Sequence, residues 1–387
     1  MSFTKTITLA TGVLTVHINE SAALFDRYIR FAARNNPKRG FLFISTVLGK
    51  HYPARPSEML ASYQALADLI IAHENALQHC VFIAMAETAT ALGVGVYESW
   101  RQKTQKQGIY CQSTRYFFAD QPYLEFEETH SHASDFYLYL PQQPALKHSF
   151  QHADTLVLID DEISTGNTFA NLINAYKKLN TFLKQVFIVS LLNLTDAAAR
   201  AKVAEKTQLP IQWLSLLTGH YQFSPRPDII FHPPNVNSSQ NCKKTLLPYN
   251  YGRFGINTAL DNCFGQLDNL SKGWHKNDTL LILGTGEFIY HAYLFGLQLE
   301  QQGFKVFVQS TTRSPILVGQ AILDCLTFPD NYEDGIDNFL YNRTLYPYQH
   351  ILICHETPKN PGLSHLLRLL NATSIQVNYG TVCISRP

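Results

Sequence analysis

The chain offers a partner almost no net charge: 31 Lys and Arg balance 30 Asp and Glu over 387 residues, a formal charge of +1. No basic stripe of the kind that holds duplex nucleic acid is present, and a short cluster such as Arg101–Lys106 reads as solvated surface. The seven cysteines (Cys80, Cys111, Cys242, Cys263, Cys325, Cys354, Cys383) are odd in number and form no CxxC pair, which argues against a disulfide framework. No Cys/His set has zinc spacing, His51 and the His130-Ser131-His132 run included. That usage fits a reducing setting, so a cytoplasmic location is the expectation. No apolar run approaches the length of a membrane span, and the first twenty residues alternate apolar and polar around Thr11-Gly12, which reads as a β-hairpin and not a signal peptide. The sequence shows no internal repeat and no low-complexity tract. It also lacks GxxxxGK[ST], which excludes P-loop nucleotide hydrolysis.

What is present supports a large core: 45% of residues are hydrophobic and only 16% charged, and Phe and Tyr number 24 and 20. The length makes two domains the natural division. Residues 22–34 and about 56–79 have helical periodicity, and apolar runs at FLFIST, CVFIAM, IYCQSTRYFF, FYLYLP, TLVLID and QVFIVSLLNLT read as strands. Strands alternating with helices imply a mostly parallel α/β sheet. The Pro-, Asn- and Ser-rich stretch 223–249 reads as a linker between a domain over 1–222 and one over 250–387. Beyond it, TLLILGTGEF, a helix, KVFVQSTTRSP, HILICHETP and SIQVNYG restart the alternation, giving a second, Rossmann-like α/β domain.

The most informative run is Leu156–Thr168, LVLIDDEISTGNT. An apolar strand ends in Asp160 and Asp161, a Ser164-Thr165-Gly166-Asn167-Thr168 loop follows, and a helix begins. Two carboxylates can accept hydrogen bonds from neighbouring ribose hydroxyls, and the loop offers N–H groups and hydroxyls to a phosphate at the positive end of the helix. Ligands of parallel sheets sit at the carboxyl ends of strands, so other strand-end loops join the candidates. Ala86, Glu87, Thr88 and Ala89 follow one strand; their small size lets a backbone approach an anion, and Glu87 suits magnesium or, alternatively, a helix start. The polar stretch 119–135 reads as an excursion able to close over a reacting centre, with His130 and His132 as acid–base candidates, or as a surface hairpin. Arg115 and Lys50, with His51 beside it, are candidate cations for an anionic group.

These motifs, in the order FLFISTVLGKHYPARP, AMAETATALG, QSTR, ETHSHA and LVLIDDEISTGNT, resemble the orotate-phosphoribosyltransferase-like proteins of bacterial tellurium-resistance, stress-response gene clusters. Those are type I phosphoribosyltransferases carrying a C-terminal module named for a Thr-Arg-Ser-Pro motif, here Thr312-Arg313-Ser314-Pro315, and Gly252-Arg253-Phe254-Gly255, LILGTGEFIY and FLYN extend the likeness. The resemblance implies 5-phosphoribosyl 1-diphosphate (PRPP) as substrate and N-glycosidic bond formation or cleavage, with pyrophosphate. It also implies Mg2+ held through PRPP near Asp160, Asp161 and Glu87. The partners it implies are a small molecule, a second copy in a homodimer and other biosynthetic proteins of the cluster, with no nucleic acid and no membrane. The alternative is a non-catalytic PRPP or nucleotide sensor on the same fold, which would release no pyrophosphate with any acceptor.

In the second domain, Gly284-Thr285-Gly286-Glu287 follows a strand but lacks the third glycine of a dinucleotide fingerprint. Thr311, Thr312, Arg313 and Ser314 follow another and suit a phosphate or carboxylate, and Glu356 follows a third. They form the candidate second site; a docking domain with ordinary polar loops is the alternative.

Overall fold

The computed structural model describes residues 1–73, 79–126, 136–229, 231, 242–260, 270–378 and 381–385. The elements of the first half are β1 (Phe3–Leu9), β2 (Gly12–Ile18), α1 (Ala22–Tyr28), β3 (Ile29–Ala33), β4 (Phe41–Ser45), α2 (Pro56–Ile71), β5 (Cys80–Ala84), α3 (Thr90–Thr104), β6 (Ile109–Gln112), β7 (Tyr123–Phe126), β8 (Phe136–Tyr139), α4 (Pro144–Gln151), β9 (Thr155–Ile163), α5 (Asn167–Leu179), β10 (Gln185–Asn193), α6 (Ala197–Thr207) and β11 (Ile211–Pro225). The second half adds β12 (Thr279–Gly284), α7 (Tyr290–Gln301), β13 (Lys305–Ser310), β14 (Cys325–Pro329), β15 (Asp337–Tyr341), β16 (His350–His355), α8 (Pro361–Leu370), β17 (Thr373–Asn378) and β18 (Thr381–Ser385).

The chain divides into two packed units: residues 1–29, 61–229 and 250–259 form the first, and residues 30–60, 230–249 and 260–387 the second. Two segments thus fall on the other side of the boundaries expected from sequence. Residues 30–60 pack with the second unit, and 250–259 with the first. The expected helix over 22–34 ends at Tyr28: Ile29 is already extended, and Ile29–Ala33 continues as β3, paired to β4. Its β-branched and aromatic residues favour that pleated surface. The expected linker is also shorter, because Phe223–Pro225 belong to β11, while Lys243 and Leu247 are buried.

In the first unit a seven-stranded sheet runs β1-β2-β11-β10-β9-β5-β6. β11, β10, β9, β5 and β6 are parallel, and the N-terminal hairpin, as expected, adds β2 antiparallel to β11. Cys80–Ala84 of β5 and Leu156–Ile159 of β9 are apolar, as the core strands of a parallel sheet covered on both faces must be. On one face α5 buries Phe169, Ala170, Leu172, Ile173 and Tyr176, a helical stripe packed with Leu156, Leu158 and Ile188. On α3, Gly93 lets the helix sit against the sheet: a Cβ there would lie 2.1 Å from that of Ala84. Residues 250–259 run beside β6, with Tyr110 and Ile256 exchanging backbone hydrogen bonds and Gln112 N–H donating to Gly252 O. This brings the buried Arg253 guanidinium over the Tyr116 ring at 5.5 Å.

In the second unit a five-stranded sheet runs β13-β12-β16-β17-β18, parallel except for the edge strand β18. Its core is built on Leu281, Leu283, Ile353 and the α8 stripe Leu363, Leu366, Leu367 and Leu370. Among the described residues no helix is long and apolar enough to cross a membrane.

Candidate functional site

The order of strands in the first unit fixes where its loops meet. From β5 the chain passes through α3 to β6 on one side, then returns through β9 on the other side of β5. The β5/β9 boundary is therefore a switch point, the place at the carboxyl ends of a parallel sheet where ligands bind. Register sets the level: Ala84 stands opposite both Ile159 and Gln112. The residues that follow, Met85–Ala89, Asp160–Asp161 and Ser113–Thr114, emerge at one height from three adjacent strands.

Short hydrogen bonds fasten these loops. Met85 N–H donates to Ile159 O at 3.0 Å and Ser113 N–H to Ala84 O at 2.9 Å. The Ala86 N–H donates to the Ser113 hydroxyl at 2.9 Å. The Ala86–Glu87 peptide is cis, and Glu87 is only 9% exposed. Asp160, Asp161 and Glu162 are half-buried, and Asp160 Oδ1 accepts the Asp161 N–H at 2.9 Å. Beyond them Gly166 caps α5 with φ 75°, left-handed backbone that favours glycine. A Cβ there would also come within 3.0 Å of Trp213 and Val203. Ser164, Thr165, Asn167 and Thr168 are half-buried around it, and the Asn167 N–H reaches the Thr165 hydroxyl at 3.4 Å. The segment gives hydrogen-bond acceptors at the strand end and then the positive end of a thirteen-residue helix, approached through small and hydroxyl residues.

Other sequence candidates fall elsewhere. His130 and His132 lie outside the described residues. Arg115 stacks its guanidinium 4.2 Å above Phe136, the first residue of β8. Lys50, expected to meet a phosphate in the first domain, belongs to the second unit. There its ammonium donates to Gly286 O at 2.9 Å, Thr311 O at 3.0 Å and the Ser310 hydroxyl at 3.4 Å. An ammonium is a three-proton donor, and these contacts tie together the loops after β12 and β13. His51 accompanies it, with its carbonyl accepting from the Asn342 amide at 3.1 Å.

The second-unit candidates do come together. Gly284–Glu287 follow β12, Thr311–Ser314 follow β13, Glu356 follows β16, and all but Arg313 and Ser314 are buried. Sequence reasoning missed the loop that joins them, residues 330–336. The Tyr332 hydroxyl donates to Thr285 O at 2.8 Å and lies 3.5 Å from Glu356 Oε1, and the Asn331 amide donates to Thr357 Oγ1 at 2.9 Å. Lys243 pairs with Asp334 at 2.7 Å and Arg313 approaches the same carboxylate at 3.6 Å. No local signal marks these partners, because they come from segments far apart in the chain.

At the end of β16, His355 Nδ1–H donates to Thr357 O at 2.7 Å and Nε2 accepts from the Ser374 hydroxyl at 2.8 Å. Burial keeps this imidazole neutral, lowering its pKa from 6.5 to about 4. The unfolded chain therefore takes up the proton first. The stability that this side chain contributes is intact above pH 6.5 and is lost as pH falls towards 4. Urea unfolding followed from neutral pH to about pH 4 is expected to lose on the order of 3 kcal/mol more in the wild type than in His355→Gln.

Residues 28–220 match the family model described as phosphoribosyl transferase, and residues 250–370 match the TRSP domain found C-terminal to it. No curated protein sequence matches the chain. Among solved structures it is similar to the adenine phosphoribosyl transferase of Trypanosoma brucei, in complex with AMP, pyrophosphate and ribose-5-phosphate, at 13% identity and a TM-score of 0.36 over 52% of this chain and 82% of that one. It is similar also to the adenine phosphoribosyltransferase of Rhodothermus marinus, at 16% identity and 0.33 over 50% and 99%. The orotate phosphoribosyltransferase of Francisella tularensis aligns at 13% identity and 0.27 over 41% and 66%.

Proposed function

The chain belongs to the phosphoribosyl transferase family that carries a C-terminal TRSP domain, and we propose that its first unit transfers the 5-phosphoribosyl group of PRPP to a nitrogen acceptor. The observation that carries this reading is the switch point, where register sets the Asp160-Asp161 pair beside the loop 86–89. In this reaction the bond from the anomeric carbon to the diphosphate oxygen breaks and its electron pair leaves with pyrophosphate. A carbon–nitrogen bond forms from the acceptor's lone pair, and the acceptor nitrogen sheds its proton.

Asp160 and Asp161 accept hydrogen bonds from the two ribose hydroxyls and fix the face of the sugar. The N–H groups and hydroxyls of Ser164–Thr168, at the start of α5, take the 5-phosphate. The loop Ala86–Ala89 faces the diphosphate, and the Ser113 hydroxyl positions the Ala86 N–H. Catalysis then rests on orientation and on support for charge moving to the leaving group. No set of three or more Asp, Glu, His or Cys able to hold a metal exists among the described residues. Magnesium fits this site as an ion carried in on the diphosphate, with Asp160, Asp161 and Glu87 as nearby carboxylates. When bound it neutralises charge on the leaving pyrophosphate.

The reading is tested by pyrophosphate release from PRPP and Mg2+ across a panel of nucleobases and other nitrogen acceptors. Acceptor-dependent release by the wild type and none by the Asp160→Asn/Asp161→Asn variant is the expected result. Release unchanged in that variant would remove the assignment of the acid pair.

A further inference from the structure

The two units share a set of strand-end hydrogen bonds, although the sequence shows no repeat. In the first unit the Ser113 N–H donates to Ala84 O at 2.9 Å and the Ser113 hydroxyl accepts the Ala86 N–H at 2.9 Å. In the second, the Thr311 N–H donates to Gly284 O at 3.0 Å and the Thr311 hydroxyl accepts the Gly286 N–H at 2.9 Å. One residue on, Thr114 exchanges two backbone hydrogen bonds with Tyr137 on β8, as Thr312 does with Phe339 on β15. The Thr114 hydroxyl accepts the Tyr116 N–H at 3.1 Å, and the Thr312 hydroxyl the Ser314 N–H at 3.2 Å. The Tyr139 hydroxyl bridges Tyr116 O and the Phe118 N–H at 3.2 and 2.7 Å. The Tyr341 hydroxyl bridges Ser314 O and the Ile316 N–H at 2.7 and 2.8 Å.

Topology agrees. β12 leads through α7 to β13 on one side and β16 lies on the other, as β5 leads through α3 to β6 with β9 opposite. In both units a two-stranded ribbon, β7–β8 or β14–β15, follows the second strand. Gly284 stands opposite Cys354 and Ser310 as Ala84 stands opposite Ile159 and Gln112. This alignment sets Glu287 in the place of Glu87, Arg313 in that of Arg115, and His355-Glu356 in that of Asp160-Asp161.

We propose that the second unit repeats the β6-β5-β9-β10 part of the first unit's sheet as β13-β12-β16-β17 and holds a second site, at the β12/β16 switch point, for a 5-phosphoribosyl compound. The ligand class rests on the phosphoribosyl reading of the first unit. Lys50, Lys243, Glu287, Asp330, Asp334 and Glu356 are each more than nine-tenths buried in the second unit. Ionised groups cost several kcal/mol each to desolvate, and apolar residues would hold a purely structural copy at lower cost. Buried charge of both signs at a strand-end crevice is where ligand chemistry concentrates.

Glu356 occupies the position that reads a ribose hydroxyl in the first unit, and one carboxylate there replaces two. The Lys50 ammonium and the Arg313 guanidinium put positive charge beside the loops after β12 and β13, the counterparts of those on the diphosphate side. The loop 330–336 covers the site, held by Tyr332 on Thr285 and by Asn331 on Thr357. Ligand entry requires it to lift.

The test is calorimetric titration of the full chain with ribose 5-phosphate. The Asp160→Asn/Asp161→Asn variant is expected to keep one equivalent, weakened at least about tenfold by adding Glu356→Gln or Arg313→Met, with the far-ultraviolet dichroism of each variant unchanged. Arg313 is partly exposed, so its variant reports binding even where Glu356→Gln unfolds the unit. A wild type that binds no equivalent, an Asp160→Asn/Asp161→Asn variant that binds none, or a residual equivalent indifferent to both second-unit changes would overturn the second site. An equivalent lost to Glu356→Gln alongside indifference to the two aspartates would sink the first-unit reading and leave this site standing.

Discussion

Replacing Asp160 and Asp161 together by Asn is expected to weaken PRPP binding at the first unit's site by at least about a hundredfold, with little change in folding stability. A hydrogen bond to a charged group is worth roughly 1.5–3 kcal/mol, and about 1.4 kcal/mol is tenfold in affinity. Two such bonds, one to each ribose hydroxyl, set the size of the loss. The fold should tolerate the change because both side chains are half-buried and not sealed in the core. The backbone bond that Asp160 accepts from the Asp161 N–H is one that an Asn side-chain oxygen also accepts. Each single variant should fall between, at roughly tenfold or more. Calorimetry with PRPP and Mg2+ on the wild type and the three variants reads this directly. Equal affinities would leave the acid pair without a ligand role.

Lys50→Met should act on the stability of the second unit and not on PRPP held by the first. The ammonium is 2% exposed and serves Gly286 O, Thr311 O and the Ser310 hydroxyl. Methionine matches the length of the stem but removes that donor; the Ser310 hydroxyl, which also reaches Gly286 O at 2.8 Å and Thr311 O at 2.9 Å, has one proton and serves only one of the two carbonyls. At about 1–3 kcal/mol for an unsatisfied buried group, the second unit should lose about 1–3 kcal/mol. PRPP affinity of the first unit should stay within about twofold, which is under 0.5 kcal/mol. Urea unfolding and PRPP titration of the same variant separate the two effects. Unchanged stability with lost PRPP affinity would return Lys50 to the phosphate role that its sequence context suggested.

The contrast between these residues shows what the sequence could convey. Leu156–Thr168 was legible because strand, acid pair, hydroxyl loop and helix are consecutive, and each local choice, from apolar strand to Gly166 in left-handed backbone, serves the same geometry. The loop 86–89 was legible as a strand-end loop, but its position beside Asp160 depends on β9 pairing with β5 across some seventy residues of chain, which no local pattern encodes. Lys50 was misplaced for the same reason. Its acceptors on Gly286 and Thr311 lie 236 and 261 positions away, and a lone lysine after a strand reads alike in either unit. At Ile29 a helical period gave way to β-branched and aromatic residues that satisfy both patterns in a short window, and pairing with β4 decided the outcome. The internal repeat was invisible because it survives in backbone bonds and hydroxyl positions. Asp160 and His355, or Ala86 and Gly286, share a place without sharing a side chain.

The most direct measurement of the central claim is an X-ray structure of the full chain with ribose 5-phosphate bound. Two ring hydroxyls on the carboxylates of Asp160 and Asp161, with the phosphate against the N–H groups of Gly166–Thr168, is the result predicted. A ligand seated elsewhere in the first unit, with that acid pair facing no sugar, would contradict it.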